Sequence, residues 1–320
     1  MSILINVDNH QRATAVWAKA IQASVPNKKV HCFPDIPNPS EIEYAVIWQH
    51  PHGDLLNYPN LKVVLLLGAG TDSIDNDPAM LALQPKVPLV RLLDPDVGND
   101  MAQYTLYWTM HFHRRYEDYR RQSDQAQWRR HEVARSADTR VSVLGMGLIG
   151  SFIAQRIALN GFCAQAWNRS AKTVDHVNCF SSPEGLHEML ANTDILINCL
   201  PLNEGTRHLL NRQRLSLLPE GSYVINVSRG AVIEDVALLD LLGSGHIAGA
   251  ALDTFAQEPL QADSPMWEAQ AKHANMHITP HMSGATYIKS AAQVIADNIL
   301  RVERGEAPFP IHHIEAQNTI

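Results

Sequence analysis

From Arg140 to Gly150 the chain reads Arg-Val-Ser-Val-Leu-Gly-Met-Gly-Leu-Ile-Gly, and Gly145, Gly147 and Gly150 fit the spacing G-x-G-x-x-G. Val141–Leu144 in front of them is a short apolar run, expected to be a buried strand. Behind them Ile149, Phe152, Ile153 and Ile157 recur at helical spacing, and Asn160-Gly161 supplies a stop. Strand, glycine turn and helix are the order that receives a dinucleotide pyrophosphate. The first glycine permits a tight turn, the second lets backbone approach the phosphates, and the third lets helix and strand pack closely. Unpaired N–H groups at the helix start then face the anion. Glycines also mark ordinary turns, so it is the flanking strand and helix that give this spacing a nucleotide meaning.

The next apolar run, Phe162–Trp167, predicts a second strand, followed by Asn168-Arg169-Ser170. An Asp or Glu at this distance from the glycines would hold the adenosine ribose 2′-hydroxyl of NAD. Asn168 stands there instead, with the guanidinium of Arg169 and the hydroxyl of Ser170 beside it. A carboxylate repels a 2′-phosphate, whereas guanidinium and hydroxyl groups bind one. The pattern prefers NADP(H) and leaves NAD(H) as the second choice. The plain alternative for Arg169 is a solvated loop cation.

Three further segments end strand-like runs in polar residues: Tyr223–Gly230 with Arg229, Ala251–Pro259 with Glu258, and Ile278–Gly284 with His281. The carboxyl ends of parallel strands are where α/β sites are built. An arginine after a buried strand needs solvent or an anion. Each of the three also has an ordinary reading: Arg229 as a cap or surface pair, Glu258 as a solvated loop acid, His281 as a satisfied core histidine.

Strand-like and helix-like segments alternate along the whole chain. Apolar runs fall at Ile3–Val7, Val30–Phe33, Tyr44–Trp48, Leu61–Leu67 and Leu89–Leu93, with a helix expected over Arg12–Val25. A second series falls at Val141–Leu144, Cys163–Trp167, Ile195–Leu200, Tyr223–Val227, Ala248–Leu252 and Met276–Thr279, with helices expected over Glu184–Leu190 and Asp235–Leu242. Repeated β-α units imply parallel sheets covered on both faces. One long helix is expected over Asp100–Gln122 between the two series, and a closing helix over Ala285–Arg304.

The 320 residues suffice for two domains with proper cores. Apolar content of 45% and charged content of 18% describe an ordinary soluble globular chain. A net charge of −7 gives no reason to expect nucleic acid or an anionic membrane as partner. The N-terminal apolar run is too short, and its start too poor in basic residues, to read as a signal peptide, and no stretch approaches a membrane span. Four cysteines without C-x-x-C spacing read as reduced thiols of a cytoplasmic protein. The 16 histidines form no recognisable metal pattern, and His111, His113, His312 and His313 read as structural.

Taken in order, Gly-Met-Gly-Leu-Ile-Gly, Asn-Val-Ser-Arg-Gly, Asp-Thr-Phe-Ala-Gln-Glu-Pro-Leu and Thr-Pro-His resemble the D-isomer-specific 2-hydroxyacid dehydrogenase family over nearly the whole chain. Leu67–Ile74 resembles that family's substrate-domain glycine loop, and Leu200–His208 its cofactor loop. Val46-Ile-Trp-Gln, Leu67-Gly-Ala-Gly and the missing ribose acid look most like the glyoxylate/hydroxypyruvate reductase A group. The resemblance implies two doubly wound parallel-sheet α/β domains. A Rossmann dinucleotide-binding domain, residues 99–286, is inserted into a flavodoxin-like substrate-binding domain, residues 1–98 and 287–320.

The resemblance also implies roles. Arg229 would bind the carboxylate and keto oxygen of a 2-oxo acid. His281 would protonate the carbonyl oxygen as hydride arrives from the nicotinamide, and Glu258 would orient it. Backbone N–H groups of Ala69 and Gly70 would hold the substrate carboxylate, with Trp48 either a pocket wall or a plain core residue. The turn Gly145, Met146, Gly147, Leu148 and Ile149 would carry the pyrophosphate, and Asn168, Arg169 and Ser170 the ribose side. Leu200, Pro201, Thr206, Val227 and Ser228 would line the cofactor. Asp253 would take the nicotinamide carboxamide, with His281 and Gly284 nearby. The expected activity is NADPH-dependent reduction of glyoxylate and hydroxypyruvate in a cytoplasmic homodimer. Two other readings stand beside it: another 2-oxo acid substrate, and a dinucleotide-sensing, corepressor-like interaction protein. No Lys or Arg lies within Leu66–Asn76, which ranks a phosphorylated substrate lower.

Overall fold

The computed structural model describes residues 2–7 and 11–314. It divides into two compact units, Met1–Val97 with Ala285–Asn318, and Gly98–Gly284.

The first unit is built on β1 (Ser2–Asn6), β2 (Lys29–Cys32), β3 (Ile42–Ile47), β4 (Val63–Leu66) and β5 (Leu89–Arg91). They pair in parallel in the order β2-β1-β3-β4-β5, and a short strand Ile311–His312 runs antiparallel along β5. The order is that of flavodoxin-like sheets, with its reversal between β1 and β3. Side chains alternate between the faces, and both faces are apolar. Ile3, Ile5, Val46 and Leu65 meet Trp17 and Ile21 of the helix Gln11–Ser24 and Ile295 and Ile299 of the helix Ile288–Glu303. On the other face Leu4, Ala45, Ile47 and Val64 meet Leu55 and Met80. Burying each large aliphatic side chain contributes about 1.5–3 kcal/mol, which is why these strands read as continuous apolar runs.

The second unit holds β6 (Arg140–Leu144), β7 (Cys163–Trp167), β8 (Asn178–Phe180), β9 (Ile195–Asn198), β10 (Ser222–Asn226), β11 (Ile247–Leu252) and β12 (Met276–Ile278). All pair in parallel, in the order β12-β11-β10-β9-β6-β7-β8. Counted from β6, the first six strands have the Rossmann order 3-2-1-4-5-6, extended by one strand at the edge. The order reverses between β6 and β9, so the crevice lies beyond Leu144 and Asn198. Among the described residues no helix is long and apolar enough to cross a membrane.

The long helix expected over Asp100–Gln122 is two helices, Pro95–His113 and Tyr116–Asp124, broken at Arg115 with φ +56°. A left-handed residue cannot continue a right-handed helix. At the end of the first helix Phe112 stacks on Tyr223 of β10 with ring centroids 4.4 Å apart. Arginine is not a residue that flags such a break, and the second helix has its own amphipathic pattern, so periodicity runs across the join. The strand Asn178–Phe180, the strand Ile311–His312 and the helices Pro78–Leu83 and Pro265–Lys272 are too short to stand out in the sequence.

Candidate active site

The glycine turn after β6 is shaped by contacts no side chain would allow. Gly145 has φ +94°, and a Cβ on Gly150 would lie 1.8 Å from the Gly145 carbonyl oxygen. The turn is thereby pressed onto the start of the helix Leu148–Leu159, with Gly147 at its N-cap. A Cβ on Gly147 would meet nothing within 4 Å, so the approach to the helix N-terminus is open on that side. Twelve aligned residues behind it direct positive potential to this opening.

Asn168 ties this turn to the loop after β7. Its side-chain oxygen accepts the Met146 N–H at 3.3 Å, and its amide nitrogen donates to both the carbonyl and the hydroxyl of Ser170 at 3.0 Å. An aspartate here would keep the first bond and lose the donors for the other two. Lys172 donates to the Met146 carbonyl at 2.7 Å, bringing a second cation to the loop that already carries the exposed Arg169. No sequence signal marks Lys172, which lies beyond the Asn168-Arg169-Ser170 triplet.

The ends of β9 and β10 are clamped by Asn198, which donates to the side-chain oxygen of Asn226 at 2.9 Å. Asn198 accepts the Leu200 N–H, and Asn226 accepts the Ser228 N–H. The Ser228 hydroxyl closes the bridge by donating to the Leu200 carbonyl. Thr206 is buried, and its hydroxyl donates to the Pro201 carbonyl at 2.6 Å while accepting the Asn203 N–H at 2.8 Å. Leu200, Pro201, Thr206, Val227 and Ser228 therefore form one braced rim. Cys199 in this rim is partly buried, and burial pushes its thiol up to about 12, so it stays protonated.

Arg229, Glu258 and His281 stand at the carboxyl ends of β10, β11 and β12. His281 Nδ1 and Glu258 Oε2 are 2.7 Å apart, and Glu258 Oε1 accepts the Phe255 N–H at 3.0 Å. The carboxylate is thus fixed at both oxygens. The side chains of His281 and Glu258 are 48% and 35% exposed, which leaves the other imidazole nitrogen open to a ligand. Arg229 Nη1 donates to the Ser228 carbonyl at 2.8 Å. A Cβ on Gly230 would lie 2.0 Å from the Phe255 carbonyl carbon. Only glycine lets the Arg229 loop touch the backbone that leads to Glu258.

Asp253 is fully buried, and its carboxylate holds the His281 loop from below. It accepts the Thr279 hydroxyl at 2.6 Å and the Met282 and Ser283 N–H groups at 2.8 Å, while its carbonyl accepts the His281 N–H at 2.9 Å. His281 itself sits at φ +51°, a conformation that needs such support. The Tyr104 phenol and the Thr279 hydroxyl are 2.7 Å apart, and burial pushes the phenol up to about 12.

In the first unit, Trp48, Ala69 and Gly70 lie beyond β3 and β4. The Trp48 ring packs so closely over Gly68 that a Cβ there would lie 2.3 Å from it. Trp48 is partly buried and touches the apolar cores on both faces of the sheet, so it serves as core residue and as backing for the glycine loop at once. Ala69 and Gly70 are half-exposed.

His111, Glu117 and His277 also gather in the second unit, with ligand-capable atoms within 4.8 Å of one another. Zinc bonds of about 2.0–2.2 Å require tetrahedral ligand spacings of roughly 3.3–3.5 Å. His111 Nε2 and Glu117 Oε1 are 4.0 Å apart, wider than that, and Glu117 is already paired with Arg120 Nε at 2.7 Å. Burial holds both imidazoles neutral, taking His277 from 6.5 to about 4 with the neighbouring His111 as the next cause. The group carries no metal assignment. Sequence spacing missed it because its members come from three separate segments.

Residues 106–283 match the family model of the D-isomer specific 2-hydroxyacid dehydrogenase NAD binding domain. The chain is similar to a D-isomer specific 2-hydroxyacid dehydrogenase of Xanthobacter autotrophicus Py2 solved with NADPH and MES, at 34% identity and TM-score 0.89 over 98% of each chain. It is similar to an NADPH-dependent glyoxylate/hydroxypyruvate reductase of Sinorhizobium meliloti solved with NADP and sulfate, at 27% identity and TM-score 0.87 over 98% of this chain and 99% of the other. A probable 2-hydroxyacid dehydrogenase of Rhizobium etli, solved with NADP, HEPES and L(+)-tartaric acid, matches at 26% identity and TM-score 0.88 over 98% of each chain.

Proposed function

The chain belongs to the D-isomer specific 2-hydroxyacid dehydrogenase family, and on that premise we propose that it reduces small 2-oxo acids, glyoxylate and hydroxypyruvate first among them, to D-2-hydroxy acids with NADPH. The single observation that carries the chemistry is the 2.7 Å contact between His281 and a Glu258 fixed at both oxygens. An accessible imidazole, oriented by a carboxylate at the carboxyl edge of a Rossmann sheet, is a proton donor waiting for an acceptor.

The residues present fit a dinucleotide. The Gly145–Ile149 turn and the open side of Gly147 suit the pyrophosphate. Asn168, Arg169, Ser170 and Lys172 offer donors and charge to a 2′-phosphate, and no carboxylate stands in the triplet to repel it. The rim from Leu200 through Thr206 to Val227 and Ser228 lines the nicotinamide side, with Gly284 closing the His281 loop. When bound, the cofactor supplies a hydride to the keto carbon.

The chain's own residues do the rest. Arg229 binds the 2-oxo acid by its carboxylate and polarises the keto oxygen. His281 gives that oxygen a proton from its outer nitrogen as negative charge develops there. Glu258 holds the imidazole through Nδ1 and balances its charge. Asp253 fixes the loop on which His281 rides. Ala69 and Gly70 offer backbone N–H groups to the substrate carboxylate, and Trp48 backs their loop. In this reading residues 99–286 form the cofactor domain and residues 1–98 with 287–320 the substrate domain.

Exposed aromatics on and after the Pro95–Asp124 helices support a homodimer. Tyr107 is 59% exposed, Tyr116 60% and Trp128 fully so. The four unpaired cysteines support a cytoplasmic setting.

The test is initial-rate measurement with NADPH and with NADH across a panel of 2-oxo acids. The proposal expects turnover of glyoxylate and hydroxypyruvate, faster with NADPH at subsaturating cofactor. Equal use of NADH, or no turnover of either acid, contradicts it.

A further inference from the structure

The glycine loop of the first unit carries Asp72 and Asp75 and no cation of its own between Leu66 and Asn76. An anion would meet repulsion there from sequence-local charge. The fold changes that balance. Arg91, at the end of β5, turns its guanidinium onto the loop, and Nη1 donates to the Ala69 carbonyl at 3.3 Å. Its Nε is buried and has no hydrogen-bond partner among the described residues. Asp75 is the acid that acts on it through space. The two oxygens of that carboxylate are engaged elsewhere, by the Thr71 hydroxyl and by His312 Nε2, each at 2.8 Å.

The carbonyl that Arg91 holds belongs to the peptide plane of the Gly70 N–H. The two groups point in opposite directions across that rigid plane. A bond to the carbonyl therefore aims the N–H, and a charged donor at one end strengthens the donor at the other. The loop does not depend on Arg91 for its path. Leu67 N–H donates to the Ile47 carbonyl at 2.9 Å, and Leu92 N–H to the Gly68 carbonyl at 3.0 Å.

We propose that Arg91 is a positioning residue for the substrate carboxylate: it grips the Ala69 carbonyl, aims the Gly70 N–H and supplies the positive charge the loop lacks. The inference deepens the reading above and rests on it for the identity of the anion. It selects 2-oxo acids ionised at C1 over their neutral esters and amides.

Full-length Arg91→Lys and Arg91→Met are compared with the unchanged protein, using hydroxypyruvate as substrate and oxalate as a dead-end anion in calorimetry on the NADP-bound form. KM and the oxalate Kd should both rise about 10- to 100-fold in Arg91→Met. Arg91→Lys should recover part of that loss. kcat at saturating substrate and the NADPH Kd should stay within about two- to three-fold of the unchanged protein, which a general structural defect would not allow. Unchanged KM and oxalate Kd in both variants, or a loss confined to kcat, overturns the role of Arg91. If the unchanged protein reduces no 2-oxo acid, the functional reading fails. The oxalate titration still decides the role of Arg91 in that case. If Arg91→Met does not fold, Arg91→Lys alone must show the rise in KM and Kd.

Discussion

The two sheets end in loops that use opposite parts of the polypeptide. At the carboxyl edge of the Gly98–Gly284 unit the groups proposed to react are side chains, Arg229, Glu258 and His281, and the backbone beneath them is held by Asp253 and Asn226. In the other unit the groups proposed to meet the substrate are backbone N–H groups of Ala69 and Gly70, and the side chains Arg91, Asp75 and Trp48 brace their loop. Side-chain chemistry shows in a motif, because the reacting residue is the motif. Backbone chemistry does not, because what aims a peptide comes from elsewhere in the chain.

The largest effect is expected at His281. His281→Ala removes the proton donor, so kcat should fall about 10²- to 10⁴-fold, while NADPH affinity by fluorescence titration stays nearly unchanged. Full turnover in that variant would remove His281 from the proton transfer. Asn168→Asp probes the same unit on its cofactor side. It puts negative charge beside the 2′-phosphate and removes the donors to Ser170, so NADPH affinity should weaken about 10- to 100-fold with NADH affinity held or improved.

A smaller effect is expected in the backbone half. Gly68→Ala forces a Cβ into the Trp48 ring. Overpacking of this kind costs about 1–3 kcal/mol. It should lower the melting temperature and raise KM for hydroxypyruvate, leaving kcat largely intact. A kcat loss equal to that of His281→Ala would erase the distinction between the two loops.

The smallest effect lies away from both. Burial beside Trp108 and Phe112, with His111 and Arg120 adding to it against Glu117, holds His277 at about 4 instead of 6.5. Between those values the unfolded chain takes up a proton the folded one refuses. Stability therefore falls as pH drops through 6.5 and stops falling from this source below about 4. His277→Phe keeps the ring stacking and removes the titration, so the drop in melting temperature from pH 7.5 to 5 should shrink by about 2–4 °C. An identical drop in both proteins would show that His277 is not held neutral.

Much of this molecule is legible from sequence, for a physical reason. Strands buried on both faces must be apolar throughout, so Ile3–Val7 and Val141–Leu144 announce themselves. Gly145 and Gly150 answer to sterics no other residue meets, so their spacing survives as a signature. Arg115 is invisible because an arginine rarely takes the left-handed conformation it has here. Asp253 and Thr206 illustrate a second limit. Their residue types suit cofactor contacts, but nothing in the sequence shows that their polar atoms also brace the protein's own loops. Lys172 and Arg91 illustrate a third, since each acts on a turn, around Met146 and Ala69, that only the fold brings near it.

The proposed reaction delivers hydride and proton to one face of a 2-oxo acid. Its most direct test is chiral analysis of the glycerate formed from hydroxypyruvate and NADPH, with NADPH consumption followed in parallel. That reaction gives D-glycerate alone, one molecule for each NADPH oxidised, in the unchanged protein. L-glycerate, a racemic product, or NADPH oxidation without glycerate would contradict it.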